Sequence, residues 1–128
     1  MKAEPLGQPL QPAPRVLVVD DHPSFRRCAR ALLASEGFEV VGEAEDCNSA
    51  LALTAELDPD LVLLDIQLPD ISGFEVASRL HERDPELAII LVSSRDRSAY
   101  GSMIGIAGAR GFITKGDLSG AALARLLR

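Results

Sequence analysis

The 128-residue chain is long enough for one domain that buries a core without disulfides or metal staples. A net charge of −6, a single Tyr and no Trp argue against a basic phosphate-gripping surface or an aromatic stacking platform for nucleic acid. No apolar run approaches the ~20 residues of a membrane helix, and the N-terminus lacks a basic-then-apolar signal pattern; the expectation is a cytoplasmic protein without membrane contact.

Residues 1–14 contain Pro5, Pro9, Pro12 and Pro14 among Gly, Gln and Ala. That composition predicts a flexible, Pro-rich tail, with the folded domain over 15–128. Arg15 to Val19 is a short continuous apolar run and predicts a buried strand. Asp20, Asp21 and His22 follow it, and Pro23 suits the first turn of a helix. Phe25, Cys28, Ala29, Leu32 and Leu33 recur at helical spacing as the inner face, with Arg26, Arg27 and Arg30 opposite. Gly37 is placed to end that helix in a left-handed cap.

A second strand is predicted over Phe38 to Glu43. It is the most polar of the early strands, which puts it at a sheet edge. A helix over Asn48 to Leu57 follows and is broken by Asp58-Pro59-Asp60. The third strand, Leu61 to Leu64, runs straight into Asp65. Ser72 and Glu75 have capping-box spacing and open a helix to Arg83, with Gly73, Val76, Ala77 and Leu80 inward. Ala88 to Val92 predicts a fourth strand, ending in Ser93. Ser98 to Ile106 has weak helical character because Gly101 and Gly105 each cost about 1 kcal/mol there. Gly111 to Thr114 predicts a fifth strand, followed by Lys115, and Ser119 caps a last helix through Leu127. Cys28 and Cys47 show no CxxC spacing and are expected to be free thiols.

Strand and helix alternate five times. The expected fold is α/β, a doubly wound five-stranded parallel sheet with helices on both faces and right-handed crossovers. Such sheets bind ligands beyond the carboxyl ends of the strands, where strand order reverses. Asp20, Asp21, Asp65, Ser93 and Lys115 each directly follow an apolar strand, so they are expected to meet at one rim. Three carboxylates in one place repel each other, and a hard, oxygen-seeking divalent cation such as Mg²⁺ relieves that repulsion. With a lysine and a hydroxyl beside them, the set suits phosphoryl transfer, and Asp65 becomes the candidate nucleophile.

At this point the sequence resembles the receiver domain of bacterial two-component response regulators. The matching stretches are Val18-Val-Asp20-Asp21-His22-Pro23, Leu64-Asp65-Ile-Gln-Leu-Pro69, Gly73, Val92-Ser93-Ser94 and Gly108-Ala-Arg-Gly-Phe112-Ile-Thr-Lys115. The resemblance implies a flavodoxin-like strand order of 2-1-3-4-5. It implies that Asp65 is the phosphoacceptor and that Mg²⁺ is held by Asp20, Asp21, Asp65 and the backbone carbonyl of Gln67. Ser93 and Lys115 would bind the phosphoryl group, and Phe112 would occupy the aromatic switch position, turning inward as Ser93 moves. Gln67 and Arg95 are expected to tune the lifetime of the phosphoryl group by shielding or admitting water, and His22 is expected to be a turn residue rather than a ligand.

The implied function is a phosphorylation-dependent signalling switch rather than an enzyme, with at most self-phosphorylation and autodephosphorylation. The implied phosphodonor is a sensor histidine kinase or a phosphotransfer protein. Output would pass by protein contact through the face of the fourth helix, fifth strand and fifth helix, a mode compatible with homodimerisation on phosphorylation. The resemblance is read as to a stand-alone, single-domain receiver; a receiver fragment of a longer DNA-binding transcriptional regulator and a phosphate-independent adaptor are the alternatives. Two features depart from the pattern: Gly116 stands where a proline usually follows the lysine, and the fourth helix is rich in glycine. A phosphatase built on the same nucleophile would carry a second Asp two residues on, where this chain has Gln67. A flavin protein of this fold would need a phosphate cradle where Asp20 and Asp21 stand.

Overall fold

A computed structural model describes residues 13–127. Most of the predicted tail therefore lies outside the described residues, although the Pro14 carbonyl already accepts a hydrogen bond from Glu39 N–H at 2.9 Å. The elements are β1 Arg15–Val19, α1 Pro23–Ser35, β2 Glu39–Ala44, α2 Cys47–Leu57, β3 Leu61–Asp65, α3 Gly73–Arg83, β4 Ala88–Ser93, α4 Met103–Ile106, β5 Gly111–Thr114 and α5 Gly120–Leu127. The strands form one sheet in the order β2-β1-β3-β4-β5, and every pairing is parallel. The strand order reverses between β1 and β3. Polar β2 lies at an edge, as its composition predicts.

Side chains alternate across a strand, so each strand feeds two cores. Leu17, Val19, Val62, Leu64, Ile89 and Leu91 pack with α2, α3 and α4 on one face. Val16, Val18, Leu61, Leu63, Ile90 and Val92 pack with α1 and α5 on the other. The three central strands are buried on both sides, which is why they read as unbroken apolar runs.

Helix boundaries follow local chemistry. Gly37 takes φ +93° just past the end of α1, as its sequence position predicts. Asp46 and Ser49 form a reciprocal capping box that starts α2 at Cys47, one residue before the expected Asn48. The box expected from Ser72 and Glu75 is not formed. Ser72 Oγ accepts from Phe74 N–H at 3.0 Å, and Glu75 turns outward to Arg79 at 3.2 Å, one helical turn on. Cys28 is exposed rather than on the inner face of α1, where Ala29 and Leu33 are buried and Phe25 packs beside them; Cys47 is buried, and both thiols are free. The segment 97–106 is not one helix. It consists of a three-residue 3-10 turn, Arg97–Ala99, then a break at Gly101 with φ +60°, then the single turn of α4.

One close approach positions the later site. Gly73 packs directly under the end of β3: its N–H donates to the Ile66 carbonyl at 2.7 Å, and a Cβ there would run into the Asp65 carbonyl oxygen and lie 2.7 Å from Ile66 Cα. Backbone cannot yield as a flexible side chain can. Gly73→Ala is expected to destabilise the fold by about 1–3 kcal/mol, the usual cost of overpacking, measured as a lower denaturant midpoint; a neutral substitution would show that β3 and α3 can separate freely.

Candidate functional site

The site forms where the strand order reverses. Asp20 follows the last residue of β1, and Asp65 is the last residue of β3, the neighbouring strand. The Asp20 N–H donates to the Ala44 carbonyl at 3.0 Å, which continues the ladder and fixes the carboxylate over the rim. Its own carbonyl accepts from Arg26 Nη1 at 2.6 Å, and Arg26 also pairs with Glu43 at 3.0 Å. Arg26 is therefore part of the scaffold under the acids rather than of a solvated helix face. Glu43 is held below the usual carboxylate range chiefly by its hydrogen bond from Arg30, with Arg26 adding to the effect against the opposing cost of burial.

Asp20 is fully buried and Asp65 is 2% exposed. Lys115 reaches back from the end of β5 and places Nζ 2.6 Å from Asp20 Oδ2 and 3.6 Å from Asp65 Oδ2. The shorter contact is charge against charge, since Asp20 Oδ2 has no aligned hydrogen-bond donor. The lysine also lies 4.5 Å above the centre of the Phe25 ring, which supports the charged head from below. Even with this cation, burial and then the Asp20 charge push the Asp65 carboxyl up from 3.8 to about 6; Lys115 and the Gln67 N–H pull in the opposite direction.

The acid cluster suits a hard cation. Asp20, Asp21, His22 and Asp65 bring one ligand atom each within 4.8 Å of one another. Asp20 Oδ2, beside Lys115 Nζ, and Asp21 Oδ1, beside His22 Nδ1, are both buried without an aligned hydrogen-bond donor, which favours further positive charge at the cluster. Carboxylate oxygens are the donors Mg²⁺ prefers. His22 caps the turn, its N–H donating to Asp20 Oδ1 at 2.8 Å, and its Nδ1 lies 3.1 Å from both Asp20 Oδ1 and Asp21 Oδ1.

The other predicted residues lie around this centre. Gln67 is exposed, and its N–H donates to Asp65 Oδ1 at 3.2 Å. Ser93 is fully buried at the end of β4, one residue past the pairing of Asp65 with Val92. Arg95 is exposed, and its N–H donates to Ser93 Oγ at 3.0 Å. Phe112 is 9% exposed and already lies in the core. Tyr100 belongs to no sequence motif, and the helix positions of Phe25 and Arg26 do not foretell their contacts with Lys115 and Asp20. Tyr100 places its hydroxyl 2.6 Å from Ser93 Oγ and its ring against Phe74 and Phe112. The available signal was that Tyr100 is the only Tyr in the chain.

A family model described as the response regulator receiver domain matches residues 16–125. The response regulator GacA of Pseudomonas aeruginosa is 38% identical over 103 residues, covering 80% of this chain and 48% of its own. The receiver domain of the response regulator NarL from Mycobacterium tuberculosis superimposes with a TM-score of 0.79 at 34% identity, covering 91% of this chain and 98% of that one. The CheX–CheY–BeF₃–Mg²⁺ complex of Borrelia burgdorferi superimposes with a TM-score of 0.75 at 28% identity, covering 88% and 85%. The chain spans about half the length of the curated relatives it matches.

The raised Asp65 carboxyl gives a signed pH dependence. Between the ordinary 3.8 and about 6, the folded protein keeps a proton that the unfolded chain has released, so the stability contributed by protonated Asp65 is lost as pH rises through that window. In chelator, Asp65→Asn is expected to be more stable than the parent by on the order of 1–2 kcal/mol above pH ~6 and no more stable below pH ~4. Thermal unfolding across pH checks this; a gain that is flat with pH would remove the ionisation argument.

Proposed function

The chain belongs to the response regulator receiver domain family of two-component systems, and on that premise we propose that it is a phosphorylation-dependent switch with Asp65 as the phosphoacceptor. The observation that carries this reading is the arrangement at the strand-order reversal: one buried carboxylate at a strand end, two further acids beside it, and a lysine Nζ lodged between Asp20 and Asp65.

The step is a phosphoryl transfer. A carboxylate oxygen of Asp65 attacks the phosphorus of a phosphohistidine on a sensor kinase or phosphotransfer protein. The P–N bond breaks, an acyl phosphate forms, and the electron pair leaves with the imidazole. Asp20, Asp21, Asp65 and the Gln67 carbonyl would hold Mg²⁺. The bound ion supplies positive charge for the phosphoryl oxygens and lowers the repulsion that now pushes the Asp65 carboxyl up. Lys115 is already within ionic reach of Asp65 and turns its charge to a phosphoryl oxygen. Ser93 offers a hydroxyl donor from the adjacent strand, and Gln67 and Arg95, both exposed, flank the path of a hydrolytic water. With Gln67 in place of a second acid there is no general acid/base two residues on, which favours holding the phosphate over turning it over.

Output would pass by protein contact through the face of α4, β5 and α5. A surface hollow of about 470 Å³ beside β5 and α5 is lined by Arg97, Phe112, Asp117 and Arg125. A second reading makes this chain the receiver of a longer transcriptional regulator; curated relatives described as transcriptional regulators, of which the chain spans about half, favour it.

With acetyl phosphate and Mg²⁺ the chain is expected to gain the mass of one phosphoryl group as a base-labile adduct, seen by intact mass spectrometry. Asp65→Asn and excess EDTA should each abolish the adduct. An adduct that survives in Asp65→Asn would place the acceptor elsewhere. No adduct with any small phosphodonor would leave the adaptor reading.

A further inference from the structure

Ser93 Oγ is fully buried and has two neighbours: it accepts from Arg95 N–H at 3.0 Å and sits 2.6 Å from the Tyr100 hydroxyl. A serine hydroxyl has two lone pairs and one hydrogen. With one lone pair taken by Arg95 N–H, the state of the Tyr100 bond decides where the hydrogen goes. If Ser93 donates to Tyr100, it has nothing left to offer a phosphoryl oxygen. If Tyr100 donates, both lone pairs are filled and the serine hydrogen is free to point at the rim. A phosphoryl group on Asp65 selects the second arrangement.

We propose that Tyr100 is the positioning residue for the Ser93 hydroxyl, and the residue through which phosphorylation reaches the segment 97–106. The inference rests on the reading of Asp65 as phosphoacceptor and moves the transmitting role from Phe112 to a different element. Phe112 has no polar atom to sense a hydroxyl and is already buried. Tyr100 has both a hydroxyl on Ser93 and a ring set between two elements. The ring centre lies 5.5 Å from that of Phe74 on α3, at 66°, and 5.9 Å from that of Phe112 on β5, at 54°. Phe74 adjoins Gly73, which packs under the Asp65 backbone. One half-buried side chain thus touches the phosphoryl-binding hydroxyl, the start of α3 and the strand of the output face.

The segment that carries Tyr100 is built to move. It sits between a three-residue 3-10 turn and the four-residue α4. Gly101 follows at φ +60°, with no neighbour within 4 Å of where a Cβ would stand, and Gly105 is equally open. Met103 and Ile106 are 51% and 79% exposed, so a small swing of the segment changes the apolar surface on view.

The test uses the full chain, which has one Tyr and no Trp, so tyrosine emission reports on Tyr100 alone. Acetyl phosphate and Mg²⁺ are added while intact mass is followed in parallel. Tyrosine emission is expected to change in proportion to the adduct and to stay constant in Asp65→Asn. Tyr100→Phe keeps the ring and removes the hydroxyl; it should slow adduct gain by about two- to tenfold, the worth of one hydrogen bond. In a Ser93→Ala background the same substitution should change nothing further, because Tyr100 acts through Ser93. A merely structural Tyr100 would instead give additive losses, which overturns the proposal. A normal adduct with unchanged emission overturns it as well while leaving the phosphoacceptor reading intact. Absence of the adduct in the parent chain fails the phosphoacceptor reading and this inference together.

Discussion

The repulsion between Asp20 and Asp65 is the constraint around which the rim is built. Both carboxylates are buried, one at the end of β1 and the other at the end of β3, and the backbone ladder gives neither room to retreat. Water cannot solvate them and no neutral donor is aligned with Asp20 Oδ2. The charge is balanced by Lys115, which crosses from β5 and rests on Phe25 to reach them. A single lysine does not neutralise three acids, and burial, with the Asp20 charge added to it, keeps the Asp65 carboxyl raised. The unbalanced charge makes the site receptive to a divalent cation and, through it, to an anion that could not otherwise approach.

Holding such a site together requires a rigid floor. The two apolar layers supply it, since every residue of β3 and β4 is buried. The loop after Asp65 is secured at a second point. The Asp70 carboxylate accepts from Cys47 N–H at 3.0 and 2.9 Å and from Asn48 N–H at 3.4 Å, so a residue five positions past Asp65 also serves the first turn of α2. Those bonds, led by the one from Cys47, hold the Asp70 carboxyl below its usual range, and the partial positive charge of a helix start adds to the attraction. With Gly73 packed beneath the Asp65 carbonyl, the stretch from Asp65 to Gly73 is secured at both ends.

Much of this was legible in the sequence because it rests on periodicity and on what terminates it. Apolar runs capped by Asp20, Asp65, Ser93 and Lys115 imply both the parallel sheet and the convergence at its rim. The strand order follows from the resemblance, and the observed sheet has that order. What escaped is set by tertiary contact rather than by local pattern. Cys28 keeps helical spacing yet faces solvent, because α1 meets the sheet through a narrower stripe than its composition allows. The Ser72–Glu75 spacing fits a capping box, but Arg79 competes for Glu75 one turn away. Arg26 looks like one of three surface arginines until Glu43 and the Asp20 carbonyl are found beside it. Tyr100 has no motif at all. Its role depends on a hydroxyl seven residues earlier and on rings from α3 and β5, none of which a sequence pattern links.

The rim is therefore stiff on one side and soft on the other, and this asymmetry decides where a perturbation at Asp65 can go. Towards α2 and α3 the Asp70 carboxylate bonds the first turn of α2 and Gly73 packs against backbone, so movement there would break cap bonds or force backbone apart. Towards 97–106 the chain offers a 3-10 turn, one turn of α4 and glycines at 101 and 108 with positive φ. Local stability is lowest where buried contacts and helical bonds are fewest. A negative charge added at Asp65 would attract Lys115 and hydroxyl donors and repel Asp20. Ser93 lies at the boundary, fixed to the sheet by β4 but bonded outward to Arg95 N–H and Tyr100. The glycine-rich stretch that weakens helical character in the sequence thus leaves the α4 side with the fewest helical bonds to hold it.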